Sequence, residues 1–258
     1  MAHYTSIASL PKLIPSGAKG IESLWATPVQ FLNDREELSH GLQVLDSVAN
    51  MKPRSSEFVR GVIVELLKTQ GSVESDAFQV SFSAEHDDLG QWRGYASDGM
   101  GCSVVCSLGD LDRIGDIRGF VIYGDKKQKA FAYKVLSKLR KNDARDEVKK
   151  ALVAAASFMK HRGFESEQEY RILKFCSPGD VLFRESRGRL VPYCDIVDLA
   201  KASLVPTKVI IGPGWQLSRL SGDEFYRHHL TSGVSRLLEL RNLPLVPIEP
   251  SSIPYDPR

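Results

Sequence analysis

Residues 78–106 constrain the fold most. Two short strand-forming runs, FQVSF at 78–82 and SVVC at 103–106, flank one predicted helical turn. An acidic turn, His86-Asp87-Asp88, opens that helix, and Gly99 and Gly101 close it. Asp87 is expected to cap the helix, because a carboxylate there accepts free backbone N–H groups. Gln91, Trp92 and Tyr95 then share one helical side. An indole, a phenol and the Arg93 guanidinium so close together suit a pocket that stacks a flat ring and holds an anion. The same spacing also suits Trp92 and Tyr95 as core and Arg93 as a surface ion-pair partner.

Around this stretch the pattern alternates between strands and helices. Strand-like runs fall at 2–6, 23–27, 119–124, 169–175, 181–185, 189–196, 207–213 and 245–249. Amphipathic helices are expected at 35–49, 54–70, 126–141, 144–162 and 222–242, with a short one opened by Ser6 and limited by Pro11 and Pro15. Thr27-Pro28-Val29-Gln30 has the form of a capping box with proline at the first helical position. In EYRILKF, alternation puts Glu169, Arg171 and Leu173 on one strand face. Strands with helices grouped between them predict an α+β chain, a single domain over 1–258 with a helical segment at about 125–162.

No apolar run approaches the ~20 residues of a membrane span. The start, MAHYTSIASLPK, lacks the pattern of a secretory signal, so a cytoplasmic location is expected. Cys102, Cys106, Cys176 and Cys194 show no paired CxxC spacing, so reduced, buried thiols are expected and no metal. Net charge is only +2, but it is uneven. Between Lys126 and Arg162 stand nine lysines and three arginines against three acids, leaving the rest of the chain net acidic. Such a block marks either a solvated helical face or a contact with nucleic acid or another acceptor.

Four segments in order, HYTS at 3–6, LWAT and FLNDREE within 24–37, SFSAEHDDLGQWRGYASDGMG at 81–101 and GFESEQEYRIL at 163–173, carry a resemblance. VIIGP at 209–213 and SSIPY at 251–255 support it. Together they resemble the bacterial domain-of-unknown-function family twenty-nine seventy-one. The same segments are similar, at a distance, to the ADP-ribosyltransferase layout: a His or Arg on the first core strand, a serine- or tyrosine-bearing middle strand and a late glutamate, often as Glu-x-Glu. His3, Ser81-Phe82-Ser83 and Glu167-Gln168-Glu169 match those positions.

That second resemblance implies a split, mixed or antiparallel sheet with helical insertions, and NAD as substrate. Bond cleavage between nicotinamide and ribose passes through an oxocarbenium-like state, which a carboxylate beneath the sugar stabilises. Glu169 is the candidate for that role, with Glu167 orienting or deprotonating the acceptor and His3 holding ribose hydroxyls. Tyr4 or Tyr95 would stack on nicotinamide, Arg93 or Arg171 would hold the pyrophosphate, and Asn33 would read the carboxamide. Thr5, Ser83 and Trp92 complete the expected NAD-binding set. The expected setting is a toxin or phage-defence effector. Two alternatives remain open. One is a Mg²⁺-dependent nuclease using Asp87, Asp88, Glu167 and Glu169. The other is a non-enzymatic nucleotide-binding module built on Trp92 and Arg93.

Overall fold

The computed structural model describes residues 1–31, 36–51, 57–69, 77–186, 188–197, 204–215 and 223–255. In chain order the strands are β1 (Ala2–Thr5), β2 (Trp25–Pro28), β3 (Ala77–Ser83), β4 (Cys102–Val105), β5 (Ile117–Phe120), β6 (Ile122–Tyr123), β7 (Met159–Lys160), β8 (Glu169–Phe175), β9 (Leu182–Ser186), β10 (Arg189–Asp195), β11 (Lys208–Ile211) and β12 (Ile248–Pro250). The helices are α1 (Leu10–Leu13), α2 (Glu37–Met51), α3 (Glu57–Lys68), α4 (Leu89–Tyr95), α5 (Leu108–Leu111), α6 (Asp125–Lys138), α7 (Arg145–Ser157) and α8 (Asp223–Leu240). The class is α+β, and the pairing is mixed but mostly antiparallel.

The chain forms two compact units. The first comprises residues 1–24, 81–115 and 195–258, the second residues 25–80 and 116–194. In the first unit, β1 lies antiparallel to β4, with Ala2 opposite Val105 and Thr5 opposite Cys102. β11 pairs with the other edge of β4, and β12 runs parallel to β11. Ala2, Tyr4, Trp92, Ala96, Val105 and Ile210 form one buried cluster there, with Trp92 supplied by α4. Gly101 is required there, since a Cβ would run into the backbone oxygen of Thr5.

In the second unit, α2, α3, α6 and α7 bury their apolar stripes in one cluster that includes Leu45, Ile63, Ala132 and Leu152. Gly41 lets α2 approach α7 closely, because a Cβ there would collide with the backbone of Ala156. β8 pairs antiparallel with β5, with Ile117 opposite Leu173 and Phe120 opposite Tyr170. β6 and β7 form a short parallel pair, and β9 and β10 a hairpin.

Several local expectations change. The run 119–124 is not one buried strand. It breaks between β5, which is largely exposed, and β6, because Val121 donates to Glu169 O while Ile122 donates to Phe158 O. Thr27 does not cap a helix; it sits in β2, and a 3-10 turn follows at Val29–Phe31. Asp88, not Asp87, caps α4, accepting from Gln91 N at 2.9 Å. Cys176 and Cys194 are disulfide-bonded rather than free. Eighteen residues apart, they lie just past β8 and within β10, a pairing that a search for CxxC spacing does not see. Cys102 and Cys106 are free and buried, as expected.

Candidate functional site

Strand β8 carries two charged residues into the interior. Glu169 is 5% and Arg171 1% exposed, and the first five residues of β8 are all buried, so the strand does not alternate between core and solvent. Buried charge is tolerated only when paired and hydrogen-bonded. Here the pairing is extensive. Glu169 takes an ion pair from Arg171 on one oxygen and from Lys160 on the other. Arg171 also pairs with Glu37 at the start of α2 and donates to Ser157 O at the end of α7. Lys160, in β7, lies 3.6 Å from Glu37 and 2.6 Å from Glu167. The Glu169 N–H donates to the Tyr123 hydroxyl at 3.1 Å.

Five ionisable groups thus share one interior, three carboxyls and two cations. Their proton affinities separate accordingly. Burial works to raise Glu169, but Arg171, the hydrogen bonds from Glu167 and Arg171, and Lys160 outweigh it and hold the carboxyl far below its usual range. Burial and then the hydrogen bond to Glu169 raise Glu167 to about 7, against the pull of Lys160. Burial also pushes Glu37 up, against Arg171 and Lys160. Of the two neighbours, Glu167 is the one shifted toward holding a proton and Glu169 the one shifted toward ionisation. Glu167 is also the most open member, with its side chain 18% exposed against 6% for Glu169.

The surroundings of Lys160 are equally defined. Its Nζ lies 4.7 Å from the centre of the half-exposed Phe164 ring. Its backbone oxygen accepts from Gln128 Nε2 at 2.7 Å, and the same amide donates to Ile122 O. With both amide donations directed at carbonyls, Gln128 Oε1 is the acceptor facing His40, 3.1 Å away, so His40 carries its proton on Nε2. His161 opens the 3-10 turn Arg162–Glu167 and lies edge-to-face with His40 at 6.0 Å.

The other expected site residues, Asn33 apart, lie in the first unit. Trp92 has no exposed surface; its ring packs edge-on to Tyr4 at 4.8 Å, and its indole N–H donates to Asp87 at 2.7 Å. Tyr4 donates to Glu85 O and accepts from Asp88 N. Burial first, and the acids around it, hold the Tyr4 hydroxyl protonated. His3 Nδ1 lies 3.2 Å from Ser81 O, and burial lowers its pKa despite that bond. Thr5 pairs with Cys102 across the β1–β4 ladder, and Ser83 Oγ accepts from Glu85 N. Tyr95 is 43% exposed. Arg93 is exposed beside Asp98 and lies 5.5 Å from the centre of the Tyr255 ring. Asn33 lies outside the described residues.

Asp87 is fully engaged. It accepts from Trp92, from Ser251 Oγ at 2.6 Å, and from the Ser252 N–H and hydroxyl at 2.7 and 2.8 Å. Burial would raise its pKa, but these donors outweigh it and lower it. Among the described residues no cluster of three or more His, Cys, Asp or Glu side chains could hold a metal ion. The acids of the nuclease alternative therefore do not form a metal cage among the described residues.

Sequence reasoning found Glu167, Glu169 and Arg171 but missed Glu37, Lys160, Tyr123 and Gln128. Lys160 did leave a signal, a lysine closing the apolar run ALVAAASFM. Glu37 left only its place in an acidic run at a helix start.

The fold and its buried carboxyl cluster define an α+β protein with a paired-carboxyl interior. Residues 91–172 match the model of the family described as "Protein of unknown function (DUF2971)", which supports the family reading made from the four ordered segments. The matched span contains Trp92, Lys160, Glu167, Glu169 and Arg171. Neither the search of curated proteins nor that of solved structures returned a match.

Proposed function

We propose that the protein cleaves the nicotinamide–ribose bond of NAD, as an ADP-ribosyltransferase or NAD glycohydrolase, with Glu167 and Glu169 as its working carboxyls. The observation that carries this reading is the pair itself: two adjacent carboxyls beside Lys160 and Arg171 whose proton affinities are pushed apart, Glu169 held far below the usual carboxylate range and Glu167 raised to about 7. Nicotinamide departs from NAD as a neutral base, so the protein has no proton to supply to it. What the reaction needs is negative charge near the developing oxocarbenium and a base for the acceptor hydroxyl. Glu169 supplies fixed charge, held in place by Arg171 and Lys160. Glu167, the more open of the two, takes the acceptor's proton. When Glu167 is ionised, three carboxylates face two cations, and the surplus negative charge favours a cationic sugar.

The test is nicotinamide release from NAD by the purified protein. Release that rises with pH through about 7, and that loses this dependence in Glu167→Gln, is the expected result. Glu169→Gln should abolish release; because that change also disturbs an interior ion pair, Glu167→Gln is the decisive variant. Failure to release nicotinamide with water, protein or nucleic acid as acceptor, together with no heat of NAD binding, overturns the reading.

A further inference from the structure

Helix α6 divides into two faces. Gln128, Ala132 and Leu136, four residues apart, are its buried stripe. The opposite side bears Lys126, Lys127, Lys134 and Lys138, all exposed, and the turn that follows adds exposed Arg140 and Lys141. No acid occurs between Asp125 and Asp143. Of the two, Asp125 is taken up by Lys129 at 2.9 Å, and Asp143 accepts the Arg140 N–H at 2.7 Å. Tyr133 stands among these lysines with 55% of its surface exposed.

The structure narrows the basic block found in the sequence. Helix α7 does not share this character: Arg145 pairs with Glu65, Lys149 lies 4.0 Å from the same carboxylate, and Asp146 and Glu147 are exposed. Within this block, α6 and its following turn carry most of the exposed cations; α7 adds exposed Lys150, whose Nζ lies 5.5 Å from the centre of the Phe175 ring. Lys134 and Lys138 stand one turn apart, about 6 Å along the axis. Like charges at that spacing repel and weaken the helix. The α6 sequence has no acid after Asp125 to offset them, which leaves this face free to meet an external polyanion.

We propose that this face binds the phosphate backbone of a nucleic acid, without reading its sequence. Cations in a row along a helix neutralise successive phosphates and release counterions. An exposed aromatic among them supplies a stacking surface for a base. A membrane surface fits less well, because an interfacial helix turns its apolar face to lipid, and here that face is buried in the protein core. The proposal does not depend on NAD cleavage. It also gives the basic helix a place in the second unit, where its inner amide, Gln128, holds the Lys160 carbonyl of the carboxyl cluster.

Fluorescence anisotropy with labelled single-stranded DNA, single-stranded RNA and duplex DNA tests this on the full chain. With about four phosphates engaged, affinity should fall on the order of 50-fold for the single strands and 150-fold for the duplex between 50 and 200 mM salt. The triple variant Lys127→Glu, Lys134→Glu, Lys138→Glu should bind at least tenfold more weakly at 50 mM salt. It should keep its circular dichroism spectrum and melting midpoint. Reversing three exposed cations elsewhere, Lys19, Arg113 and Arg189, should leave binding unchanged. No anisotropy change at 50 mM salt, an equal loss in the second triple variant, or tighter binding to anionic vesicles or polyglutamate than to any oligonucleotide would overturn the proposal.

Discussion

Glu167 holds a proton that an exposed glutamate would lose, and this makes stability depend on pH in a specific direction. Its folded pKa, about 7, lies above the ordinary 4.5. The folded state therefore binds the proton more tightly, and the stabilisation is complete below pH 4.5 and lost as pH rises toward 7. Glu169 is shifted the other way; its contribution is already complete above 4.5 and is lost only in stronger acid. The wild type should lose up to about 3 kcal/mol of unfolding free energy between pH 4.5 and 7.5. Glu167→Gln, which keeps a neutral side chain, should flatten that slope in urea titrations across the same range. Arg171→Met should cost about 3–5 kcal/mol, since it leaves Glu37 and Glu169 with Lys160 alone of their two shared cations. The charged residues of β8 were legible because strand spacing puts Glu169 and Arg171 on one face. Their partners Glu37 and Lys160 were not, because the choice of partner is made by packing between distant segments. Trp92 shows the same limit: helical spacing is identical for a ring that lines a cavity and one that fills a core.

At the scale of elements, close approach decides more than propensity. Gly41→Ala would improve the intrinsic helix propensity of α2 by up to about 1 kcal/mol. Its Cβ would nevertheless meet the Ala156 backbone, so the variant should unfold about 1–3 kcal/mol more easily in thermal or urea melts. The segment 251–252 is tied to α4 through Asp87, and Asp87→Ala strands the buried Trp92 N–H. A loss of about 1–3 kcal/mol is expected, seen as a lowered melting midpoint. Most helices and strands were legible from apolar period, to within a few residues at their ends. The break between β5 and β6 was not, because it is set by which strand supplies hydrogen bonds at Val121 and Ile122. The disulfide between Cys176 and Cys194 is a further element-level feature, and it predicts two titratable thiols, Cys102 and Cys106, in unreduced, unfolded protein. Four thiols would show that this pair stays reduced, as a reducing compartment maintains.

At the scale of the whole molecule, the two units are not consecutive in sequence. The span that matches the family, 91–172, takes residues 91–115 from one unit and 116–172 from the other. Expressed alone it would contain β4 without β1 and β11, and β8 without α2. Such a fragment should show no cooperative thermal transition, which circular dichroism would reveal directly.

The interleaving also sets an order for synthesis. The second unit has all its residues once position 194 has left the ribosome, and its helices and β8 can then pack. The first unit starts upstream of the second, yet β4 waits for β11 and β12, which follow position 194 in the chain. The nascent chain must therefore carry an unfinished sheet edge while a unit started later is completed first.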